Sequence, residues 1–273
     1  PGEQKIMQTG ENGTRQVCFR IIERDGVEAS RSEISRIVIR DPRNEIVFLG
    51  SDPTETYIPI EGTLTYISGG QAWIVDGNTL NARPLTTDGV LDGRVFDLSP
   101  DGRRLLYTVS TEDPADPEFS NELWAILDTS ASVPQPVQLV PEDVRVAQWV
   151  PGQPTATVAY STANPATEAP GWRAYNDLYV MQLDPETGEV LGVPEEIIPQ
   201  NALGTYPWWG RRYVWSPDGT KVAWANADSV GLVDLETGEY VTLLTFAEYA
   251  PFLERFQGST VWVPTLSWSE DGH

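Results

Sequence analysis

The stretch WSPDGTKVAW at 215–224 places a short polar turn between aromatic and β-branched residues, and it recurs along the chain. A near copy, LSPDGRRLLY, occupies 98–107, and a shortened form, WSEDGH, occupies 268–273. In SPDG the proline fixes φ, the aspartate accepts backbone hydrogen bonds and the glycine adopts a positive φ. The repetition predicts a strand connector rather than a chemical site. The residues interpreted as structural turn residues are Asp101, Gly102, Asp218, Gly219, Asp271 and Gly272.

The repeated turn lies inside a longer repeat of four short strands. From 212 these strands read RYVWS, KVAWANA, SVGLVDL and YVTLL, with rough alternation and polar turns between them. Turn glycines at 102, 152, 219 and 272 are 50, 67 and 53 residues apart, and the copy at 151–154, PGQP, lacks the aspartate. Four-stranded units at such intervals predict an all-β chain folded as one β-propeller domain over 1–273. The predicted blades are 56–87, 94–140, 144–198, 211–246, and 14–50 completed by 262–273.

The two ends of the chain leave the closure of the predicted propeller open. The unit at 14–50 lacks a first strand, and the last unit stops after its first strand. Either the C-terminal strand completes the N-terminal unit in a ring of five blades, or the chain is part of a longer propeller. Ring closure removes exposed strand edges, whereas an end inside the usual turn, at SEDGH, favours a longer protein.

The repeats SPDGRRLLY, SPDGTKVAW and SWSEDG, with the following LWAILD and LVDLETG strands, resemble those of the TolB-like propeller family. Similar repeats form the N-terminal propellers of prolyl-oligopeptidase-like peptidases. The resemblance covers about 62–273 well and 14–50 only by strand pattern. It implies a propeller fold, and it leaves function open because one fold serves many functions.

Composition narrows the range of partners. A formal net charge of −22 repels phosphate backbones, so nucleic-acid binding is not expected. No apolar run is long enough to span a bilayer, so membrane insertion is not expected. The single cysteine, Cys18, forms no intrachain disulfide and is interpreted as a small buried hydrophobe.

No catalytic, metal or cofactor site stands out in the sequence. There is no nucleophile elbow of the Gly-x-Ser-x-Gly type, and the one histidine is His273 at the end of the chain. The acidic stretch TEDPADPE at 111–118 lacks the spacing of a calcium loop, and we interpret it as solvated. We therefore expect that the chain is not an enzyme and binds no cofactor. With 40 acidic residues, a pair of carboxylates that cleaves a glycosidic bond stays an open alternative.

Function should lie where the repeats differ, in the loops 111–120, 162–175 and 200–212. Exposed tryptophans there would stack on a sugar or anchor a peptide, and the competing interpretation is that the rings fill gaps between blades. The candidate binding residues are Trp172, Tyr175, Tyr206, Trp208, Trp209 and Arg211. We expect a bacterial, extracytoplasmic module that binds a protein or peptide. The alternatives are an accessory propeller of a hydrolase whose catalytic domain is absent and a glycan-binding propeller.

Overall fold

The computed structural model describes residues 4–24, 27–49, 57–111, 120–140, 143–153, 155–168, 170–246 and 261–272. The chain divides into two compact units, one of 1–61 with 77–82 and one of 62–76 with 83–273. The sequence predicts one domain, and the proposed closure of 14–50 by 262–273 stays a prediction. No helix in the described ranges is long and apolar enough to cross a membrane.

The first unit is built from two antiparallel strand pairs. Strand β1 (Gln4–Gln8) pairs with β4 (Ile46–Leu49), and β2 (Thr14–Arg24) pairs with β3 (Val27–Arg40). The pairing differs from the predicted blade, in which 14–50 supplied three successive strands of one sheet. The strands β2 and β3 have 11 and 14 residues, far longer than the strands of the repeat.

Most large apolar side chains of the β2–β3 hairpin are exposed, although some polar side chains contact their neighbours across or along the strands. The guanidinium of Arg31 lies 5.4 Å from the centre of the Phe19 ring, and Arg36 forms an ion pair with Glu33 at 2.9 Å. Cys18 is half-buried rather than fully buried, because a hairpin of two strands has no interior to hide it. The contact of Arg31 with Phe19 therefore covers only a small part of the hairpin's apolar surface.

The other strands form four antiparallel sheets, which confirms an all-β chain with several antiparallel sheets. Each sheet follows the chain order, with one small extra strand in the third. The first sheet contains β5 (Pro59–Ser68), β6 (Gln71–Asn78) and β7 (Arg83–Pro84). The second contains β8 (Leu91–Leu98), β9 (Leu105–Ser110), β10 (Asn121–Ile126) and β11 (Pro136–Val140). The third contains β12 (Val144–Trp149), β13 (Ala156–Pro165), β14 (Trp172–Ala174), β15 (Leu178–Leu183) and β16 (Val190–Ile198). The fourth contains β17 (Arg212–Trp215), β18 (Lys221–Ala225), β19 (Ser229–Asp234) and β20 (Tyr240–Thr245).

The hydrophobic core lies between successive sheets. One cluster joins the first and second sheets, a second joins the second and third, and a third joins the third and fourth. The second strand of a sheet is buried on both faces, which is why β9 and β13 read as continuous apolar runs without alternation. Ile74 and Leu105 belong to the cluster between the first and second sheets. Leu106 and Val158 belong to the cluster between the second and third sheets, and Ala159 and Trp224 to the cluster between the third and fourth.

Buried asparagines tie each of two sheets to the first strand of the next. Asn121, at the start of β10, accepts a hydrogen bond from the backbone N–H of Val144 at 2.9 Å and donates to the Val144 carbonyl at 3.0 Å. Asn176, just before β15, accepts from the backbone N–H of Arg211 at 3.0 Å and donates to the carbonyls of Asn201 and Pro207. Both amides therefore satisfy backbone groups that have no strand partner, as buried polar groups require.

The repeated turn is held together by its own side chains. Asp218 accepts from the Ser216 hydroxyl at 2.6 Å and from the Thr220 N–H at 3.0 Å, while Ser216 Oγ accepts from the Lys221 N–H at 2.9 Å. The same bonds occur at 99–104, where Asp101 takes the place of Asp218. The last copy keeps the bond from the Ser269 hydroxyl to Asp271 at 2.6 Å. All of these bonds are internal to the turn.

Turns of neighbouring sheets also lie against each other. A Cβ on Gly152 would come 2.4 Å from the Asp218 carbonyl oxygen, and one on Gly219 would come 2.1 Å from the Pro151 carbonyl oxygen. Both glycines have a φ near +70°, so backbone conformation and the neighbouring turn each require a residue without a side chain. The glycine of this turn is thus fixed by contact between sheets, which explains its survival in PGQP.

We expect Asn121→Ala to lower the free energy of unfolding by about 1–3 kcal/mol, because it leaves the N–H and carbonyl of Val144 buried without partners. Urea unfolding followed by circular dichroism measures the change. The matched control is Asn164→Ala on an exposed position of β13, which should change stability by less than about 0.5 kcal/mol. Equal effects of the two substitutions would contradict the role assigned to Asn121.

The turn predicts a stability contribution that depends on pH. Hydrogen bonds from Ser216 and Thr220 lower the pKa of Asp218 from 3.8 to about 2. Because the folded pKa lies below the unfolded one, this stabilisation is complete above about pH 4 and is lost as the pH falls towards 2. The stability difference between wild type and Ser216→Ala should therefore narrow over that range in urea unfolding experiments. For the exposed control Thr242→Ala, the difference in free energy of unfolding from wild type should stay constant with pH. A difference for Ser216→Ala that also stays constant would contradict the prediction.

Candidate functional site

Two of the loops that differ between repeats meet at one edge of the third and fourth sheets. In an antiparallel sheet that follows chain order, the connection between the second and third strands shares an edge with the connection to the next sheet. The segment 166–174, which includes β14, belongs to the first kind of connection, and 199–211 belongs to the second. The strand order alone therefore brings these loops to the same edge.

Aromatic side chains from the two loops contact each other. The indole N–H of Trp172 donates to the Trp209 carbonyl at 3.0 Å, and the centres of the two ring systems are 6.1 Å apart. Trp208 meets Tyr206 edge-on at 5.3 Å, with an interplanar angle of 78°. A short 3₁₀ turn at Pro207–Trp209 separates the two indoles of that loop, so that Trp209 faces Trp172 while Trp208 stays 41% exposed.

A cavity of about 220 Å³ opens between the two loops. Its walls combine two indole rings with an ion pair, in which Arg173 and Glu168 lie 3.4 Å apart. Both charged side chains are largely exposed, so the pair is screened by water and free to exchange partners. The lining residues are Ala166, Glu168, Trp172, Arg173 and Trp208.

The structure gives the six predicted binding residues different positions relative to the cavity. Trp172 and Trp208 line the cavity, and Trp209 and Tyr206 support them from behind. Tyr206 does so from a left-handed backbone conformation with φ 55°. Tyr175 is half-buried and holds the loop through its backbone, because its N–H donates to the Thr162 carbonyl.

Arg211 does not belong to the exposed surface for which it was predicted. It is 2% exposed, its Nε donates to Asn226 at 2.9 Å, and its guanidinium lies 4.8 Å from the centre of the Trp224 ring. The sequence RR at 211–212 hides this difference, because strand alternation sends one arginine inward and the next one outward. Arg212 is the exposed member.

The sequence also missed the charged neighbours of Trp172. The guanidinium of Arg94, on β8 of the second sheet, lies 4.5 Å from the centre of the Trp172 ring, and that of Arg145, on β12, lies 5.9 Å from it. A signal was present, since Arg94, Arg145 and Arg212 stand seven or eight residues before the turn glycines of their repeats. The two arginines are held there by cation–π attraction to one ring.

The described ranges hold no group of three or more His, Cys, Asp or Glu side chains that could bind a metal ion. The predicted acidic loop lies outside the described residues over 112–119, as does His273. The interpretation of that loop as solvated stays a prediction. The geometry that remains is a recess with aromatic walls and exchangeable charges, which suits the capture of a ligand.

The chain matches the family model of the G5 domain over residues 1–52, which lie in the first unit. Among curated proteins no sequence matches the chain. The resemblance to the TolB-like family stays a prediction.

Several solved structures share partial similarity with the chain. One is described as a nidogen/laminin complex, with 9% identity, a TM-score of 0.43, and coverage of 68% of this chain and 63% of that one. The tricorn protease has 14% identity, a TM-score of 0.44, and coverage of 70% and 16%. The acylaminoacyl peptidase of Pyrococcus horikoshii has 14% identity, a TM-score of 0.41, and coverage of 86% and 38%. The chain spans less than two thirds of each of these proteins, and likeness at this level carries no argument about function.

The contact between the two loops predicts different roles for two neighbouring tryptophans. Trp172→Phe removes the indole N–H that bonds to Trp209, and it should lower the free energy of unfolding by about 0.5–1.5 kcal/mol in urea denaturation. The matched control, Trp208→Phe, keeps an aromatic ring at an exposed position and should cost less than about 0.5 kcal/mol. The assignment fails if Trp208→Phe is the more destabilising change.

Proposed function

We propose that the second unit is part of a β-propeller that binds a protein or peptide partner in the cavity between Trp172 and Trp208. The observation that carries the proposal is the convergence of two loops from different sheets on one aromatic recess of about 220 Å³. In this proposal the chain acts as a binding module and performs no catalysis.

Contacts between first strands support the propeller arrangement. The backbone N–H of Trp149, on β12, donates to Asp97, on β8, at 2.8 Å. The indole N–H of Trp268, which lies outside the strands of the structure in a segment predicted to be a first strand, donates to the Val214 carbonyl, on β17, at 2.9 Å. First strands that follow one another in space as they do in the chain are the arrangement around a propeller axis.

The composition of the recess supports a peptide as its occupant. Indole rings supply a large rigid apolar surface at little cost in conformational entropy, and they are the residues that most often dominate binding energy at protein interfaces. Glu168 and Arg173 at the rim provide one hydrogen-bond acceptor group and one donor group for a peptide backbone or side chain. A recess of this size admits one or two side chains rather than a folded surface.

We also propose that the protein works outside the cytoplasm. The G5 match of residues 1–52 adds support for this location. The charge of −22 fits a well-solvated surface, and it gives a strong preference for partners with local positive charge or neutral surfaces.

Selection from a displayed library of random 12-residue peptides tests the proposal. Wild type should enrich peptides that bind saturably in calorimetry, and Trp208→Ala should weaken the binding of those peptides about ten-fold or more, as expected for an exposed anchor. The control variant is Trp262→Ala, which removes a 59% exposed tryptophan that does not line the cavity.

Two results would contradict the proposal. One is a library from which wild type enriches no saturable binder. The other is a set of peptides that Trp208→Ala binds as tightly as wild type. Stacking of the two indoles on a sugar is the competing use of the recess, and retention of soluble glycans on immobilised wild type but not on Trp208→Ala would assign the site to glycans instead.

A further inference from the structure

Three arginines gather behind Trp172 in a chain that is otherwise strongly acidic. Arg94 lies on β8, Arg145 on β12 and Arg212 on β17, so each comes from the first strand of a different sheet. Arg94 and Arg145 both lie over the ring of Trp172, at 4.5 and 5.9 Å from its centre. We call these three residues the arginine cluster, and Trp172 forms its boundary with the cavity.

Arg145 is the deepest member of the cluster. Its Nη1 donates to the Arg211 carbonyl at 2.8 Å, and its Nε is buried with no hydrogen-bond partner in the described part of the chain. The guanidinium also lies directly against Gly210, where an added Cβ would come 2.3 Å from Arg145 Cζ. A buried donor of a charged group without an acceptor is costly, so an acceptor supplied from outside the chain would stabilise it.

The surroundings of Arg145 carry no compensating negative charge in the described ranges. Burial, together with the positive charges of Arg94 and Arg212, lowers the pKa of Arg145 to about 10, while Tyr213 acts in the opposite direction. No carboxylate of the described chain contributes to this balance. Asp92 offsets part of the positive charge of Arg94, and the three arginines still form a locally positive group in a protein of net charge −22.

We propose that the arginine cluster is a carboxylate-binding site, and that it holds an acidic group of the peptide whose neighbouring side chain occupies the cavity. This inference rests on the proposed function and adds the chemistry of the partner to it. A carboxylate fits the fork of a guanidinium with two parallel hydrogen bonds, and its charge would offset the repulsion within the cluster.

The cluster is reachable from solvent through its outer members. Arg212 is exposed, and its Nη1 lies 3.4 Å from the Thr265 hydroxyl, while Arg94 is half-buried. Arg212 begins β17, and Arg94 is the fourth residue of β8, so both lie in the first halves of strands that start at the edge carrying the cavity loops. A peptide that extends from the cavity past Trp172 would therefore meet the cluster within one or two residues.

Glutarate is the probe for the site, with glutaramide as its neutral counterpart of the same shape. We expect glutarate to raise the melting temperature of the full chain saturably at constant ionic strength, and glutaramide to leave it unchanged. Arg212→Ala should weaken the apparent glutarate affinity about ten-fold or more. Arg103→Ala, which removes an exposed arginine of the 99–104 turn, is the matched control and should bind like wild type.

Arg145→Lys is the second variant, since it keeps the charge but removes the planar fork, and it should also weaken glutarate binding. Equal shifts with glutarate and glutaramide would overturn the proposal, and so would unchanged affinity in Arg212→Ala. A response to inorganic phosphate but not to glutarate would assign the cluster to phosphate groups and overturn it too.

The two proposals fail in different ways. The library peptides selected above are compared as acid and amide forms at each Asp, Glu and C-terminus. If Trp208→Ala abolishes binding but no amide form weakens it, the recess binds peptides and the arginine cluster has no part in it. If glutarate binds wild type but not Arg212→Ala and the library yields no binder, the carboxylate site is supported and the proposal of a peptide partner is contradicted.

Discussion

The second unit depends on bonds that tie one sheet to the first strand of the next. A single four-stranded sheet has two apolar faces and cannot bury both by itself, so it needs a neighbour on each side. The clusters of apolar side chains between sheets supply attraction but little direction. The buried amides of Asn121 and Asn176 supply the direction, because each bonds to a particular backbone position in the sheet that follows. Register between sheets is thereby set by polar contacts, while stability comes from apolar area.

Much of this arrangement was readable from the sequence. The strands of 94–140, 144–198 and 211–246 were predictable because each is short, rich in β-branched and aromatic residues, and bounded by a turn with its own chemistry. The predicted blade at 14–50 differs from the structure in its pairing, since β2 and β3 pair with each other and β4 pairs with β1. Gly26 and Pro42 mark the ends of these two strands in the sequence, but which strands pair depends on long-range contacts that composition within a short window does not show.

The candidate site was predictable in part for a similar reason. Trp172 and Trp208 stand in loops that the strand order brings to one edge, so their meeting followed from topology. The inward turn of Arg211 did not follow from its sequence, because two adjacent arginines at a strand start give no sign of which one faces the core. The place of Arg94 beside Trp172 depends on contact between different sheets, and that requires three-dimensional packing rather than local pattern.

The contact between the turns of Gly152 and Gly219 makes the two edges of the second unit differ in how much change they tolerate. At one edge Gly152 and Gly219 lie against the backbone of the adjoining turn, so an added residue there would push neighbouring sheets apart. The intervals of 50, 67 and 53 residues between turn glycines show that length varies elsewhere. The second-to-third-strand connections at the opposite edge, 111–120, 166–177 and 226–228, have 10, 12 and 3 residues, whereas the third-to-fourth-strand connections at the turn edge, 127–135, 184–189 and 235–239, have 9, 6 and 5. Insertions and substitutions can accumulate at that second edge without disturbing how the sheets are seated. A scaffold of this kind can acquire new ligands by changing loops such as 166–174 and 199–211 while its turn edge stays constant.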